Sequence, residues 1–173
     1  MRRVDGDEHW RTLRSVNGLV RVYTHLGKYD KAETLCKEAL DVTKEQFGED
    51  PVGPLRTINF FGVLRLEQKR YEEAEKLLTE ARDKRQTTLG FDHPSTLESK
   101  HELAVLYMKQ DRYKEAERLL LEAIEGRRLK LGDTHPHAIE SWNNLIELYE
   151  AWDKPEKAEE WRSKLPQTET ADE

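Results

Sequence analysis

The segment RYKEAERLLLEAIEGRRLKLG, Arg112 to Gly132, has two earlier copies in the chain. RYEEAEKLLTEARDKRQTTLG runs from Arg70 to Gly90, and KYDKAETLCKEALDVTKEQFG from Lys28 to Gly48. Each copy lies 42 residues from the next, and whole columns keep that register. Ala32, Ala74, Ala116 and Ala158 form one column; Glu33, Glu75, Glu117 and Glu159 form another. Leu13, Leu55, Leu97 and Ile139 align, as do Leu19, Phe61, Leu103 and Leu145, and Gly6, Gly48, Gly90 and Gly132 punctuate the chain. The Tyr29, Tyr71, Tyr113 column passes to Pro155 in the fourth copy. A fixed period of this size means stacked supersecondary units, none of which can bury its apolar face alone.

Each unit carries two amphipathic helical patterns. In the third, apolar residues fall at Leu97, Leu103, Ala104, Leu106 and Tyr107, then at Ala116, Leu119, Leu120, Ala123, Ile124 and Leu131. Both series have helical spacing. Only the polar turn Gln110-Asp111-Arg112 separates them, which forces an antiparallel pair. Pro94 and Pro136 suit the first turn of a helix, where their missing N–H costs nothing. Gly48, Gly90 and Gly132 suit the position just past a helix end. Gly62, inside a first helix, implies close packing that offsets a cost of about 0.5–1 kcal/mol.

These signals predict an all-α right-handed solenoid of four helix pairs, at 8–25 and 28–47, 54–67 and 70–89, 93–109 and 112–131, and 135–151 and 154–165. The array covers 1–166, as repeats 6–47, 48–89, 90–131 and 132–166, and QTETADE (167–173) reads as a polar tail. Asp50-Pro51-Val52-Gly53-Pro54 delays the first helix of the second repeat. Asp153-Lys154-Pro155-Glu156 has the spacing of a capping box with Asp153 as N-cap. Trp142, Trp152 and Trp161 mark the fourth repeat as a terminal cap.

Composition narrows the function. Charged residues are 37% of the 173 and hydrophobic residues 36%, which suits a helical array with much surface rather than a thick core. A net charge of -6 argues against general nucleic-acid binding, which needs clustered Lys and Arg. The single cysteine, Cys36, allows no internal disulfide and points to a reducing, cytoplasmic compartment. No apolar run has the length of a signal peptide core or a membrane span.

Phe91-Asp92-His93-Pro94-Ser95-Thr96-Leu97, Leu103-Ala104-Val105-Leu106-Tyr107 and Arg112 to Ala123 resemble the tetratricopeptide repeat, in the 42-residue form seen in kinesin light chains. The resemblance implies a non-catalytic scaffold that holds a peptide or partner domain in a groove lined by first helices, as part of a larger signalling protein in some members. It implies four groove columns. Arg14, Arg56, Glu98 and Glu140 form the first, and Asn17, Asn59, His101 and Asn143 the second. Arg21, Val63, Val105 and Glu147 form the third, and Thr24, Leu66, Met108 and Glu150 the fourth.

Each column has two readings. The Asn column either bonds a peptide backbone, since an amide both donates and accepts, or bonds across repeats. His101 departs from it. Arg14, Arg21 and Arg56 either select an acidic peptide through charge-assisted bonds or form a solvated basic face. Val63, Leu66, Val105 and Met108 either form an apolar patch or pack on a neighbouring helix. Residues 1–24 carry net +2 and residues 138–173 net −6. That asymmetry serves solubility in a monomer, or it supports a second function, head-to-tail self-association. An enzyme is not expected. His135 and His137 flank a proline, His93 and His101 lack completing ligands, Cys36 lies in an apolar column, and no phosphate loop or nucleophile elbow occurs. No cofactor or metal is expected.

Overall fold

The computed structural model describes residues 3–47 and 54–166. Over these the chain is an all-α repeat array. Its helices are α1 (Arg3–His25), α2 (Tyr29–Phe47), α3 (Leu55–Glu67), α4 (Tyr71–Leu89), α5 (Pro94–Lys109), α6 (Tyr113–Leu131), α7 (Pro136–Ala151) and α8 (Pro155–Ser163). The expected bounds hold to within two residues except at α1, which starts at Arg3 and contains Gly6. Gly48, the Pro51–Gly53 stretch and the 167–173 tail lie outside the described residues. The chain divides into two compact units, residues 1–88 and 89–173.

One turn closes all four helix pairs. Gly27, Lys69, Asp111 and Asp153, spaced by 42, have φ of 67, 59, 57 and 56°. Their N–H groups reach back three residues, to Thr24, Leu66, Met108 and Glu150, and the next N–H reaches back five, at 2.8–2.9 Å. This double bond pattern around a left-handed residue is the Schellman ending, which satisfies carbonyls that a helix end would leave bare. It also corrects the capping-box expectation. Asp153 closes α7 and does not cap α8, whose N-cap is Lys154 with no side-chain cap bond. Only the first repeat has glycine at this turn, so the other three carry a strain of about 1–2 kcal/mol each. The next helix opens differently. His93 and His135 each accept a backbone N–H at Nδ1, from Ser95 and His137 at 3.2 Å, with proline following as expected.

In the first unit, α3 packs against α1 and α2. Val20, Ala32, Cys36 and Leu64 form a fully buried cluster joined by Phe60 and Phe61. Leu55, Ile58 and Ala81 form a second, between α3 and α4. Full burial of each leucine contributes about 1.5–3 kcal/mol. Gly62 is where α3 meets α4, and a Cβ there would lie 2.7 Å from the Leu78 side chain. In the second unit α5 and α6 pack through Leu97, Leu103, Ala116 and Leu120, all fully buried. Gly126 is the counterpart of that close approach, with an added Cβ only 2.6 Å from Leu97.

The last repeat is short. α8 has 9 residues against 19 in α2, α4 and α6. Trp142 and Trp161 meet edge-on at 6.0 Å and close its core. Trp152 does something else: it stacks on Tyr113 at 5.8 Å and so ties the α7–α8 turn to the start of α6.

Candidate partner-binding face

The first helices carry the residues of interest. In the first unit Arg14 and Arg21 lie two turns apart on α1, and Arg56 takes the matching place on α3. All three are exposed. Arg56 reaches over the Phe60 ring, 5.7 Å from its centre. Val63, in the column of Arg21, is half-buried. Thr24 and Leu66 turn inward instead, and Thr24 Oγ1 donates to the Val20 carbonyl at 2.8 Å. Guanidinium groups in general bond carboxylates in pairs.

Asn17 and Asn59 are each 2% exposed. Thr57 Oγ1 donates to Asn17 Oδ1 at 3.2 Å, so this amide bonds from one repeat to the next. A buried amide needs such a partner, because an unmet one costs about 1–3 kcal/mol.

The second unit repeats the arrangement with different chemistry. His101, 4% exposed, sits where the asparagine would be. The Asn144 amide donates to His101 Nε2 at 3.3 Å, so the neutral ring carries its proton on Nδ1 and donates to Ser141 Oγ at 3.1 Å. Arg127 Nη1 donates to the same Ser141 Oγ at 2.6 Å and to the His137 carbonyl at 2.7 Å. Burial, then the nearby Arg127 charge, push the His101 pKa down to about 4, against the opposing pull of Glu140. Val105 and Met108 are half-buried, as is Glu98. Asn143, Glu140, Glu147 and Glu150 are exposed. A shallow hollow follows α7, lined by Pro136, Ile139, Asn143, Asn144 and Glu147 among others. The exposed face of this unit is therefore acidic where that of the first is basic.

Second helices supply struts. Glu33 on α2 accepts two bonds from Arg65, at 2.6 and 2.9 Å, and Glu117 on α6 accepts the Tyr149 hydroxyl at 2.6 Å and Lys157 at 3.2 Å. Both reach 32 residues along the chain, to the same column. This is the structural role that fourfold repetition of the glutamate suggests. Cys36 is fully buried, which pushes its thiol up to about 12 and leaves it without thiolate character.

Sequence reasoning missed the buried cations. Arg65, Arg85, Lys100 and Arg127 are 3–5% exposed. Arg85 and Arg127 share a column, and that coincidence was the available signal. Periodicity alone reads a charged residue as surface, because burial of its stem is invisible without the neighbouring helix.

Among the described residues, no helix is long and apolar enough to cross a membrane, and no three His, Cys, Asp or Glu side chains gather as metal ligands. Antiparallel helix pairs at a constant spacing, closed by one turn type and tied by side chains 32 and 40 residues apart, define a helical repeat array. The chain belongs to the tetratricopeptide repeat family: the family model described as Tetratricopeptide repeat matches residues 11–87 and 95–161. A crystal structure described as a kinesin light chain of Podosopora anserina with nearly identical TPR-like repeats is 25% identical, with a TM-score of 0.78, over 89% of this chain and 73% of that one. A substituted form of the same Podosopora protein is 26% identical with a TM-score of 0.77 and the same coverage. BtubC (BKLC) from P. vanneervenii shares the fold, with a TM-score of 0.80 and 20% identity over 98% of this chain and 68% of its own. No curated protein matches the chain in sequence. Tetratricopeptide repeats are in general non-catalytic protein-interaction scaffolds.

Proposed function

We propose that the chain is a non-catalytic adaptor that captures a protein or peptide partner on the exposed faces of its first helices. The face of the first unit selects an acidic segment. The observation that carries this is the exposure of Arg14 and Arg21 on α1 and of Arg56 on α3, in repeat columns that Arg14 shares with Arg56 and Arg21 with the half-buried Val63. Carboxylates accept paired bonds from guanidinium groups, and the fork geometry favours them over neutral acceptors. Val105 and Met108 supply apolar contact in the second unit, and exposed Asn143 offers an amide to a peptide backbone. Asn17, Asn59, Thr24 and Leu66 support the face of the first unit from within, and His101 that of the second. We place the protein in the cytoplasm, where its only cysteine, buried Cys36, stays reduced.

The test is fluorescence anisotropy with labelled extended peptides, acidic and neutral. The acidic peptide should bind more tightly, and Arg14→Glu, Arg21→Glu and Arg56→Glu together should weaken it by at least about tenfold. These side chains are exposed, so helicity should not change. Equal binding by the triple variant and the wild type sinks the reading.

A further inference from the structure

The column of Leu13, Leu55 and Leu97 is buried in the first three repeats, and its fourth member, Ile139, is only half-buried. The length of the second helix makes the difference. In the third repeat α6 runs to Leu131, and a Cβ added at Gly126 would lie 2.6 Å from Leu97. One period beyond Gly126 is Thr168, whereas α8 ends at Ser163. Pro166 sets that end from within the chain, because a proline lacks the N–H of a helix interior and crowds the turn before it. The helix α8 therefore stops short of the start of α7, and a hollow of about 550 Å³ lies along α7.

Its lining is apolar at Pro136 and Ile139, and its side-chain polar groups are mostly acceptors. Glu140 and Glu147 are exposed carboxylates two turns apart, and α7 has no Lys or Arg. Glu147 makes no ion pair among the described residues. Glu140 keeps only long contacts, 3.3 Å to His137 Nδ1, 3.7 Å to Arg127 Nη1 and 3.9 Å to His101 Nε2. Asn144 gives an amide N–H to His101 Nε2 at 3.3 Å, which leaves its Oδ1 to accept. Carboxylates and an amide oxygen beside apolar carbon suit a cation on an apolar stem. Residues 167–173, QTETADE, hold no Lys or Arg and supply none.

We propose that this hollow takes an arginine from a basic segment of a partner protein. The planar guanidinium donates to Asn144 Oδ1 and to the Glu147 carboxylate together, since residues three apart share one side of a helix. Its stem lies against Ile139 and Pro136. A second arginine reaches Glu140. The rise of the helix from Glu140 to Glu147 is roughly 10 Å, and a segment in polyproline conformation repeats one side-chain direction about every 9 Å. The motif is therefore Arg-x-x-Arg. Asn143, between the two glutamates, bonds the backbone of the segment. The proposal rests on the reading of first helices as the partner-binding face, and it gives the second unit a charge preference opposite to that of the first.

The test is fluorescence anisotropy of labelled peptides with the full chain at low salt. An Arg-x-x-Arg peptide should bind. Its Lys-x-x-Lys counterpart should bind about tenfold more weakly, because an ammonium lacks the planar fork that bridges two acceptors. Glu147→Gln, at an exposed site, should weaken the arginine peptide by about tenfold. Glu67→Gln, at an exposed site on α3, should leave it unchanged. Glu147→Gln should also spare the acidic peptide, and the triple variant at Arg14, Arg21 and Arg56 should not weaken the arginine peptide, so this proposal and the first-unit reading fail separately. In the wild type, amide NMR shifts on adding the arginine peptide should centre on Ile139, Asn143 and Glu147. Absence of binding up to on the order of 1 mM, or shifts centred elsewhere, overturns the proposal. Equal effects of Glu147→Gln and Glu67→Gln overturn it in favour of attraction by net charge alone. Equal affinity for the lysine peptide overturns the paired contact at Asn144 and Glu147.

Discussion

Arg65 of α3 holds Glu33 of α2 with two guanidinium nitrogens, at 2.6 and 2.9 Å, although its side chain is only 6% exposed. It also bonds Gln68 and Glu73, and it stacks on the Phe61 ring 4.4 Å from the centroid. A buried cation contributes net stability only when such partners are in place, because its desolvation costs several kcal/mol. Here it fastens the first helix of one repeat to the second helix of the repeat before.

Glu33→Gln should therefore cost the first unit about 2 kcal/mol, by leaving the guanidinium short of one charge partner. Arg65→Met should cost less, because it removes the buried charge and keeps the stem packing against Phe61. Urea denaturation of the two variants gives the order directly. The Arg65 bond, followed by the Lys37 bond, holds the Glu33 pKa down to about 2. The wild type should therefore lose stability as pH falls from about 4.5 towards 2, and Glu33→Gln should lose less in that window.

His101 sets a different pH window. Its folded pKa, about 4, lies below the ordinary value of 6.5, so between these values the unfolded chain binds a proton that the native state refuses. Stability is complete above pH 6.5 and is lost as pH falls toward 4, by about 3 kcal/mol in all. His101→Asn, which restores the residue of the neighbouring repeats, should flatten the pH dependence in this range. Thermal melts at pH 7, 5.5 and 4.5 measure it. An unchanged slope would mean that the ring is not held neutral by Arg127 and burial.

Three helical glycines should respond differently to one added methyl. At Gly126 and Gly62 the new Cβ falls 2.6–2.7 Å from the side chains of Leu97 and Leu78, and overpacking should cost about 1–3 kcal/mol. At Gly18 nothing lies within 4 Å, and alanine should stabilise α1 by about 0.5–1 kcal/mol through helix propensity alone. Chemical denaturation of Gly126→Ala and Gly18→Ala should give opposite signs.

The 42-residue period, read with helical spacing, determined the helix pairs, their antiparallel turns and the fold class. These are local properties: a helix and its ends are set by residues a few positions apart, and repetition averages out the errors of reading any single copy. Legible for the same reason were the close approach at Gly62, the structural role of the glutamate column and the inert burial of Cys36. What a side chain does across two helices was not legible. The sequence left Asn17 equally able to meet a partner or the next repeat, and only the packing of α3 on α1 puts Thr57 against it. Asp153 had the spacing of an N-cap, yet the bonds that close α7 claim it first. Periodicity held no sign that Arg65, Lys100 and Arg127 are buried, because neighbouring helices do the burying. Leu19 and Val22 belong to columns that are buried elsewhere, and the structure leaves them exposed. Period and pattern reveal which way a residue faces from its own helix; what stands opposite depends on contacts 32 to 40 residues away, and only the tertiary structure supplies it.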